Sequence, residues 1–264
     1  MESLGIVAAR AACVATLLAG AMGCHAASEH EQTVGAQLEQ LCDARTLAAL
    51  GRALQVANFR EPVLGHDADD TAVVAAAYRS GHADDLLIAI AVLGTGGQVG
   101  ATFKGNLESD PAVKIVSGSL WLDTAAYDLA PGVRAFGLDI TSGLPRGCTA
   151  GGSGARRSLF VSQGRFIRPV LQDLPMSEWN LIQRGRSACT DASAPEATIT
   201  ENFSATLGLA PTSTRGWRDL VVTGTASRDD GRVDERAVQR TTLKWDGRIY
   251  STDEQQRAWA TWKQ

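Results

Sequence analysis

The sequence is poor in the residues on which nucleophilic catalysis depends. Two of its four histidines, His25 and His30, stand near the N-terminus, which leaves only His66 and His82 in the body. A nucleophilic triad needs a histidine beside a serine or cysteine, and no nucleophile elbow accompanies either histidine. None of the four lysines follows a serine by three residues, which removes the S-x-x-K hydrolase motif. These absences count against covalent catalysis.

Basic charge and long apolar runs are also missing. The formal net charge is −4, whereas nucleic-acid binding usually needs a concentrated basic face. The glycine-rich phrase at residues 94–100 breaks the G-x-G-x-x-G spacing at Val99, so we expect no nucleotide cofactor. Beyond the first thirty residues no apolar run is long enough for a membrane-spanning helix. We therefore expect a globular body with no nucleic-acid partner and no cofactor.

The N-terminus has the layout of an export signal. Arg10 precedes an apolar run over residues 11–22, and small residues follow it. Two processing routes stay open: cleavage after Ala26, which makes residues 1–26 a signal peptide, or removal of residues 1–23 with a lipid on Cys24. The second route would anchor the protein to a membrane through that lipid. Either route predicts a protein of the periplasm or outer membrane.

Cysteine use fits an oxidising compartment. Cys13 falls in the leader, and the body retains Cys42, Cys148 and Cys189. Exported chains commonly form disulfides, and Cys148 and Cys189 both lie in polar connections rich in glycine and serine. We predict a disulfide between these two, with Cys42 left free.

Residue patterning predicts a mainly β fold. Leucines recur at helical spacing over residues 33–56, residues 59–70 read as a loop around Pro62 and Gly65, and residues 253–262 suggest a short helix that packs Trp259 on the body. Between these lie short apolar or alternating runs separated by turn residues. The predicted strands are residues 71–78, 85–92, 98–104, 113–122, 134–141, 158–161, 165–171, 198–209, 217–223, 237–245 and 248–250.

This pattern indicates an antiparallel β-sandwich or barrel-like body over residues 31–264, with an N-terminal helix after the signal peptide. The strands at residues 71–78 and 85–92 are apolar on both faces, so we expect them to be covered on both sides. Residues 148–155 are glycine-rich and read as a flexible connection. A division of the body into two subdomains near these residues stays open.

Three groups of charged residues are candidate sites. His66, Asp67 and Asp69 offer hard ligands that suit calcium, but the spacing lacks the glycine and the distal acid of a calcium loop. Arg156, Arg157, Arg165 and Arg168 cluster in sequence and read as the solvated face of a hairpin rather than an anion site. Paired carboxylates for sugar hydrolysis would have to come from a set that the sequence cannot narrow. That set is Asp123, Asp128, Asp139, Asp173, Glu178 and Asp219.

Several phrases resemble a family of uncharacterised exported proteobacterial proteins. They are SLWLDTAAYDLAPGVRAFG at residues 119–137, RSLFV at 157–161, GRFIRPVL at 164–171, GWRDL at 216–220 and WDGRIY at 245–250. The resemblance covers about the last two-thirds of the chain and implies export and a β-rich body. It carries no activity and transfers no functional residue. In physical terms the phrases read as scaffold, with Trp121, Tyr127 and Phe136 in the core.

Export, strand content and the missing motifs together favour a non-enzymatic binding or structural protein of the periplasm or outer membrane. Its partner would be an envelope protein or a small ligand. The alternative is a periplasmic hydrolase that uses paired carboxylates or a metal. The two differ in whether carboxylates converge in a concave pocket.

Overall fold

The computed structural model describes residues 44–54, 60–66, 71–79, 86–94, 98–106, 118–141, 151–183, 199–231 and 238–262. In this part of the chain the elements run in the following order. They are α1 (Ala44–Leu54), β1 (Arg60–His66), β2 (Ala72–Arg79), β3 (Leu86–Leu93), β4 (Val99–Asn106), β5 (Leu120–Ala130), β6 (Val133–Thr141), β7 (Gly151–Ser153), β8 (Ala155–Gln163), β9 (Phe166–Pro175), β10 (Ser177–Gln183), β11 (Ile199–Thr214), β12 (Trp217–Arg228), β13 (Gln239–Leu243) and α2 (Asp253–Trp262).

Eight strands form a nearly closed, barrel-like sheet in the order β1-β2-β3-β4-β9-β8-β6-β5. Neighbouring strands of this sheet are antiparallel, except that β4 and β9 pair in parallel at Thr102 and Phe166. The two ends of the sheet come together, since a Cβ placed on Gly65 of β1 would lie 2.9 Å from Thr124 Cγ2 of β5. The described fold is therefore mainly β with a barrel-like body, as the residue patterning predicts.

The barrel is filled with apolar side chains. Alternate residues along each strand point inward, and three rings pack together there. Between ring centroids, Phe160 lies 5.2 Å from the tilted ring of Phe103 and 5.9 Å from the stacked ring of Phe136. The buried residues of this interior core are Val73, Ala75, Ala77, Ile88, Ile90, Ala101, Leu120, Leu122, Phe136, Leu138, Phe160 and Ile167. This alternation places the remaining strand residues on the outer wall.

The outer wall is covered on two sides. Leu50 and Leu54 of α1 pack on Val74, Tyr78 and other residues of β2 and β3. Strands β2 and β3, which correspond to the predicted strands at residues 71–78 and 85–92, are therefore buried on both faces, as predicted. Helix α1 lies within the stretch for which the leucine spacing predicts a helix, and residues 33–43 of that stretch fall outside the described part.

A five-stranded antiparallel sheet, ordered β13-β12-β11-β10-β7, covers another part of the outer wall. Leu220, Val222 and Leu243 of this sheet pack against Leu159, Leu171 and further apolar residues of the barrel. The chain passes from this sheet to the barrel at Gly154, which separates β7 from β8.

Helix α2 packs on the five-stranded sheet through Trp259, as the sequence predicts. Trp259 is 2% exposed, its ring meets Phe203 edge-on, and its Nε1 donates a hydrogen bond of 2.9 Å to Glu178 Oε2. A Cβ on Gly224 would lie 2.7 Å from the Trp259 ring, so glycine provides the space for the ring. Neither described helix is long and apolar enough to cross a membrane.

Two loop predictions are wrong. Residues 59–70 include strand β1, which tolerates Pro62 because it lies at the end of its sheet, and its pairing with β2 shifts register between Arg60 and Val63. The glycine-rich stretch at 148–155 includes strand β7. Gly152 pairs with Trp179, and a Cβ there would lie 2.8 Å from Trp179 Nε1, so glycine makes room for the indole.

A glycine turn joins the predicted strands at residues 158–161 and 165–171. Gln163 pairs with Phe166, and Gly164 between them has φ of 63°, so these strands form a hairpin. At residues 248–250 an isolated bridge between Trp245 and Tyr250 closes a four-residue loop in place of the predicted strand. Asp246 Oδ1 accepts hydrogen bonds of 2.6 and 2.7 Å from the backbone of Arg248 and Ile249, and these bonds lower the pKa of Asp246.

Candidate functional site

The predicted metal ligands are only partly described. His66 is the last residue of β1, and Asp67 and Asp69 lie outside the described residues. Among the residues that are described, no three histidine, cysteine or acidic side chains group closely enough to hold a metal ion. The predicted lipidation residue Cys24 and the predicted disulfide partners Cys148 and Cys189 also fall outside the described part.

Two of the six candidate carboxylates converge, and an arginine lies between them. The guanidinium of Arg157 donates to both oxygens of Asp139, at 2.6 Å from Nε and 2.8 Å from Nη2. Its Nη1 forms an ion pair with Asp123 Oδ2 and donates at 3.0 Å to the Tyr127 hydroxyl. That hydroxyl donates in turn to Asp123 Oδ2 at 2.7 Å. We call Asp123, Tyr127, Asp139 and Arg157 the acid–arginine cluster.

Three neighbouring strands assemble this cluster on the outer wall of the barrel. Asp139 of β6 lies directly opposite Arg157 of β8. Asp123 lies one strand further away on β5, opposite Gly137. A Cβ on Gly137 would lie 3.0 Å from Asp123 Cβ and 3.5 Å from Arg157 Cδ. Because Gly137 has no side chain, Arg157 can cross β6 and reach Asp123.

A bulge in β5 completes the cluster. Asp123 and Tyr127 are four residues apart and therefore share a face of the strand, and the pairing of β5 with β6 shifts register between them. The second oxygen of Asp123 accepts a 3.0 Å hydrogen bond from the Ala125 backbone N–H inside the bulge. Asp123 therefore holds the bulge and the cluster together.

Electrostatics keep Arg157 charged and Tyr127 protonated. Burial on its own would lower the pKa of Arg157, but the hydrogen bonds and the charge of Asp139 outweigh it and raise that pKa above its usual value. Burial, together with the hydrogen bond to Asp123, raises the pKa of the Tyr127 hydroxyl well above its usual value. A guanidinium and a neutral phenol therefore contact the two acids, whose oxygens are already engaged.

The surroundings of the cluster correct two predictions. Arg157 is 8% exposed, so it does not belong to a solvated hairpin face. Trp121, predicted as a core residue, is 57% exposed, and its ring lies 5.8 Å from the Arg157 guanidinium carbon. Tyr127 and Phe136 are buried as predicted. Trp121 lies opposite Asp139 across β5 and β6 and therefore partly covers the cluster.

The other candidate carboxylates serve separate structural contacts. Asp128 pairs with Arg134 at 2.7 Å on the surface, and Asp173 accepts from Arg156 Nη2 at 2.8 Å. Asp219 is buried and accepts a 2.7 Å hydrogen bond from the Thr212 hydroxyl. None of these meets a second carboxylate of the candidate set among the described residues.

A second arginine packs against tryptophan rings. Trp217 and Trp245 stack at 4.1 Å between centroids and 5° between planes. The Arg168 guanidinium carbon lies 5.6 Å from each of these rings. Tyr250 packs on Trp245 at 5.1 Å and donates a 2.6 Å hydrogen bond to the Arg218 carbonyl. These residues come from three of the phrases in the resemblance. Trp245 and Tyr250 are buried and Trp217 is partly buried, so this is a structural contact between the barrel and the five-stranded sheet.

A polar groove of about 580 Å³ lies beside β13. We call it the β13 groove. Its walls come from β13, the end of β11 and helix α2, and its residues are Thr212, Gln239, Arg240, Thr241, Thr242, Lys244, Glu254 and Ala258. None of these residues belongs to a sequence motif, and none was predicted as a site residue.

One buried amide oxygen lies at this groove. Gln239 Nε2 donates to Thr241 Oγ1 at 2.6 Å, but Gln239 Oε1 is buried and has no partner among the described residues. Buried polar groups are almost always hydrogen-bonded, so this oxygen is an acceptor that lacks a donor in the described part of the chain.

Comparison of the chain with protein-family models, with curated proteins and with solved structures finds no match. The chain is thus placed by its fold, as a mainly β protein with a barrel-like body and a second sheet. Its function is inferred from the geometry of its own residues.

Proposed function

We propose that the protein is exported to the periplasm or the outer-membrane face and acts there as a binding protein without enzymatic activity. The apolar leader and the resemblance to exported proteobacterial proteins support export. The β13 groove is the observation that carries the binding role. It is an open, polar depression whose walls carry cations and an acceptor that have no partner among the described residues.

The convergence of Asp123 and Asp139 does not favour the alternative function, a periplasmic hydrolase. A catalytic acid must exchange a proton with substrate, and its partner must activate water or attack the substrate. Asp139 already accepts two hydrogen bonds from Arg157, and Asp123 accepts from Tyr127 and from the backbone of Ala125. Both acids are buried beside an arginine charge, which is the arrangement of a structural ion network.

Export is tested on the protein as the cell makes it. The full chain is expressed in a Gram-negative host, the cell is fractionated, and the intact mass is measured with and without reductant. We expect a mature chain that starts at Ala27, or a lipidated chain that starts at Cys24 and is lost in Cys24→Ala. A non-reduced mass lower by two hydrogens would support the Cys148–Cys189 disulfide. Cytoplasmic protein that retains Met1 would contradict export.

The absence of catalysis is tested on the mature protein with fluorogenic glycosides and esters. We expect no turnover above that of a denatured sample. Turnover that disappears in Asp139→Asn and persists in Asp173→Asn would overturn the non-enzymatic role. Asp173 is the matched control because it is an exposed acid that is also paired with an arginine, and circular dichroism would confirm that both variants fold.

A further inference from the structure

Strand β13 has one free edge. It pairs antiparallel with β12 along one side, and no strand in the described part of the chain pairs with its other side. A sheet edge presents unpaired N–H and C=O groups that can receive another strand. Gln239–Leu243 is five residues long, or about 17 Å at the usual rise per residue.

The β13 groove runs along this edge. Successive residues of a strand point to opposite faces of its sheet, and the groove is lined by four consecutive residues, from Gln239 to Thr242. A depression that touches both sets of side chains reaches the strand's edge, and Thr212 of β11 shows that it also extends over a face of the sheet. Helix α2 forms the opposite wall through Glu254 and the small Ala258, so an extended chain has room between helix and strand.

The side chains along the edge define the chemistry of an occupant. Leu243 packs in the core beneath the sheet, so Arg240, Thr242 and Lys244 point to the outer face. Arg240 and Lys244 are exposed, and neither has an ion-pair or hydrogen-bond partner among the residues described. On the inner face Gln239 Oε1 lacks a donor among the described residues. An added strand would meet two cations on the outer face, an amide acceptor on the inner face, and Glu254 and Ala258 along the wall formed by α2.

We propose that β13 binds an extended acidic peptide segment of an envelope partner by strand addition. The partner's backbone pairs with the free edge of β13, and carboxylates at alternate positions meet Arg240 and Lys244 on the outer face. Main-chain hydrogen bonds supply affinity in this mode of recognition, and the alternating side chains supply specificity. The inference rests on the proposed binding function and names its partner class.

A second copy of the chain fits this edge poorly. Antiparallel pairing of two β13 strands about Thr242 would place Arg240 of one copy opposite Lys244 of the other. Like charges directly opposite each other destabilise a strand pair, and edge cations commonly prevent such self-association. The same two cations attract a strand that carries carboxylates.

The test uses a labelled heptapeptide that alternates aspartate with valine, capped at both ends, and fluorescence anisotropy with the mature protein at low salt. Two further peptides serve as probes: one with the valine amides and one with the aspartate amides N-methylated. A fourth peptide replaces aspartate with lysine. We expect the unmodified acidic peptide to bind, with an affinity that falls as the salt concentration is raised. One of the two N-methylated peptides and the lysine peptide should each bind at least tenfold more weakly than the unmodified acidic peptide.

Charge reversal at the groove provides the protein-side test. Arg240→Glu with Lys244→Glu should weaken binding about tenfold or more, whereas Arg165→Glu with Arg257→Glu should change it less than threefold. Both double variants change the net charge equally, and all four arginine and lysine side chains are exposed. Equal losses in the two variants would overturn the proposal, because the peptide would then respond to net charge alone.

Three other results would also overturn the proposal. The first is no binding of the acidic peptide, and the second is equal binding of the unmodified peptide and both N-methylated peptides. The third is a dimer of the protein that the acidic peptide does not dissociate and that the Arg240→Glu/Lys244→Glu variant does not form. None of these touches the proposed function itself. That proposal fails only if the chain stays in the cytoplasm or turns over substrate through Asp139.

Discussion

The acid–arginine cluster and the β13 groove both hold charged side chains on the outside of a sheet, but they satisfy those charges in opposite ways. In the cluster Arg157 is buried and engaged by Asp123, Asp139 and Tyr127. In the groove Arg240 and Lys244 are exposed and unpaired among the described residues. A charge network that is internally complete stabilises the fold, whereas charges left open at an edge are free to bind.

We expect the largest loss of stability from a substitution of Arg157, at the centre of the acid–arginine cluster. Arg157→Met would leave Asp123 and Asp139 buried and uncompensated, which costs about 3–5 kcal/mol. Urea unfolding of the mature protein would measure this loss. The matched control is Arg156→Met, because Arg156 is the next residue and pairs with the exposed Asp173, and exposed pairs contribute about 1 kcal/mol or less. Equal losses in both variants would contradict the contrast between buried and open charges.

A smaller effect is expected where α2 forms the wall of the groove. Gly224→Ala would place a methyl group 2.7 Å from the Trp259 ring, and overpacking of this kind costs about 1–3 kcal/mol. We expect lower stability and faster amide exchange across α2. Gly208→Ala on neighbouring β11 is the control, since its added Cβ would meet Val221 at an ordinary 3.7 Å. Unchanged exchange in α2 would mean that the helix does not depend on this contact.

A comparable or slightly smaller effect is expected from the hydroxyl of the cluster. Tyr127→Phe removes a group that donates to Asp123 and accepts from Arg157, at a cost of about 1–2 kcal/mol in the free energy of unfolding. The measurement is urea unfolding at neutral pH. Asp128→Asn, which breaks only an exposed pair with Arg134, should change this free energy by less than about 1 kcal/mol.

The same hydroxyl gives the cluster a signature at alkaline pH. Because burial raises the pKa of Tyr127 in the folded chain, its contribution to stability is complete below the unfolded pKa of about 10. That contribution is lost as pH rises through the higher folded pKa. Above pH 10 the wild type should lose stability more steeply than Tyr127→Phe, by up to about 1.4 kcal/mol per pH unit. Parallel profiles would show that the phenol ionises as freely when folded as when unfolded.

The smallest effect on stability belongs to the groove. Arg240→Ala with Lys244→Ala removes exposed side chains without described partners, so the free energy of unfolding should change by less than about 0.5 kcal/mol. A loss above about 1.5 kcal/mol would show that these cations hold the fold, and the difference between cluster and groove would then disappear.

Particular residues show how far sequence reasoning reached in the fold. Apolar residues on both faces of β2 and β3 correctly predicted burial on both sides, and Trp259 correctly marked a docked terminal helix. Pro62 and Gly65 led to the wrong prediction of a loop at residues 59–70, because a strand at the end of a sheet tolerates residues that a central strand would not. The glycines at residues 148–155 likewise led to the wrong prediction of a flexible connection. Gly152 lies in a strand there, because the absence of a side chain leaves room for the Trp179 indole.

The candidate sites depended on contacts that no local pattern encodes. Asp123, Asp139 and Arg157 meet because three strands align and because Gly137 leaves space for an arginine to cross between them. The exposure of Trp121 could not be predicted, because the alternation of residues along a strand does not show which part of the outer wall the second sheet covers. The β13 groove escaped sequence analysis altogether, because the free edge of a strand is a property of sheet order and not of residue type.

The sequence by itself determined the periods of the strands, most of the turns and the helix at the end of the chain, because these depend on neighbouring residues and their conformational preferences. Only the tertiary structure decided which acids share an arginine and which strand keeps a free edge. Those outcomes arise from contacts between residues far apart in the chain, where a missing Cβ or one step of register decides whether two side chains touch.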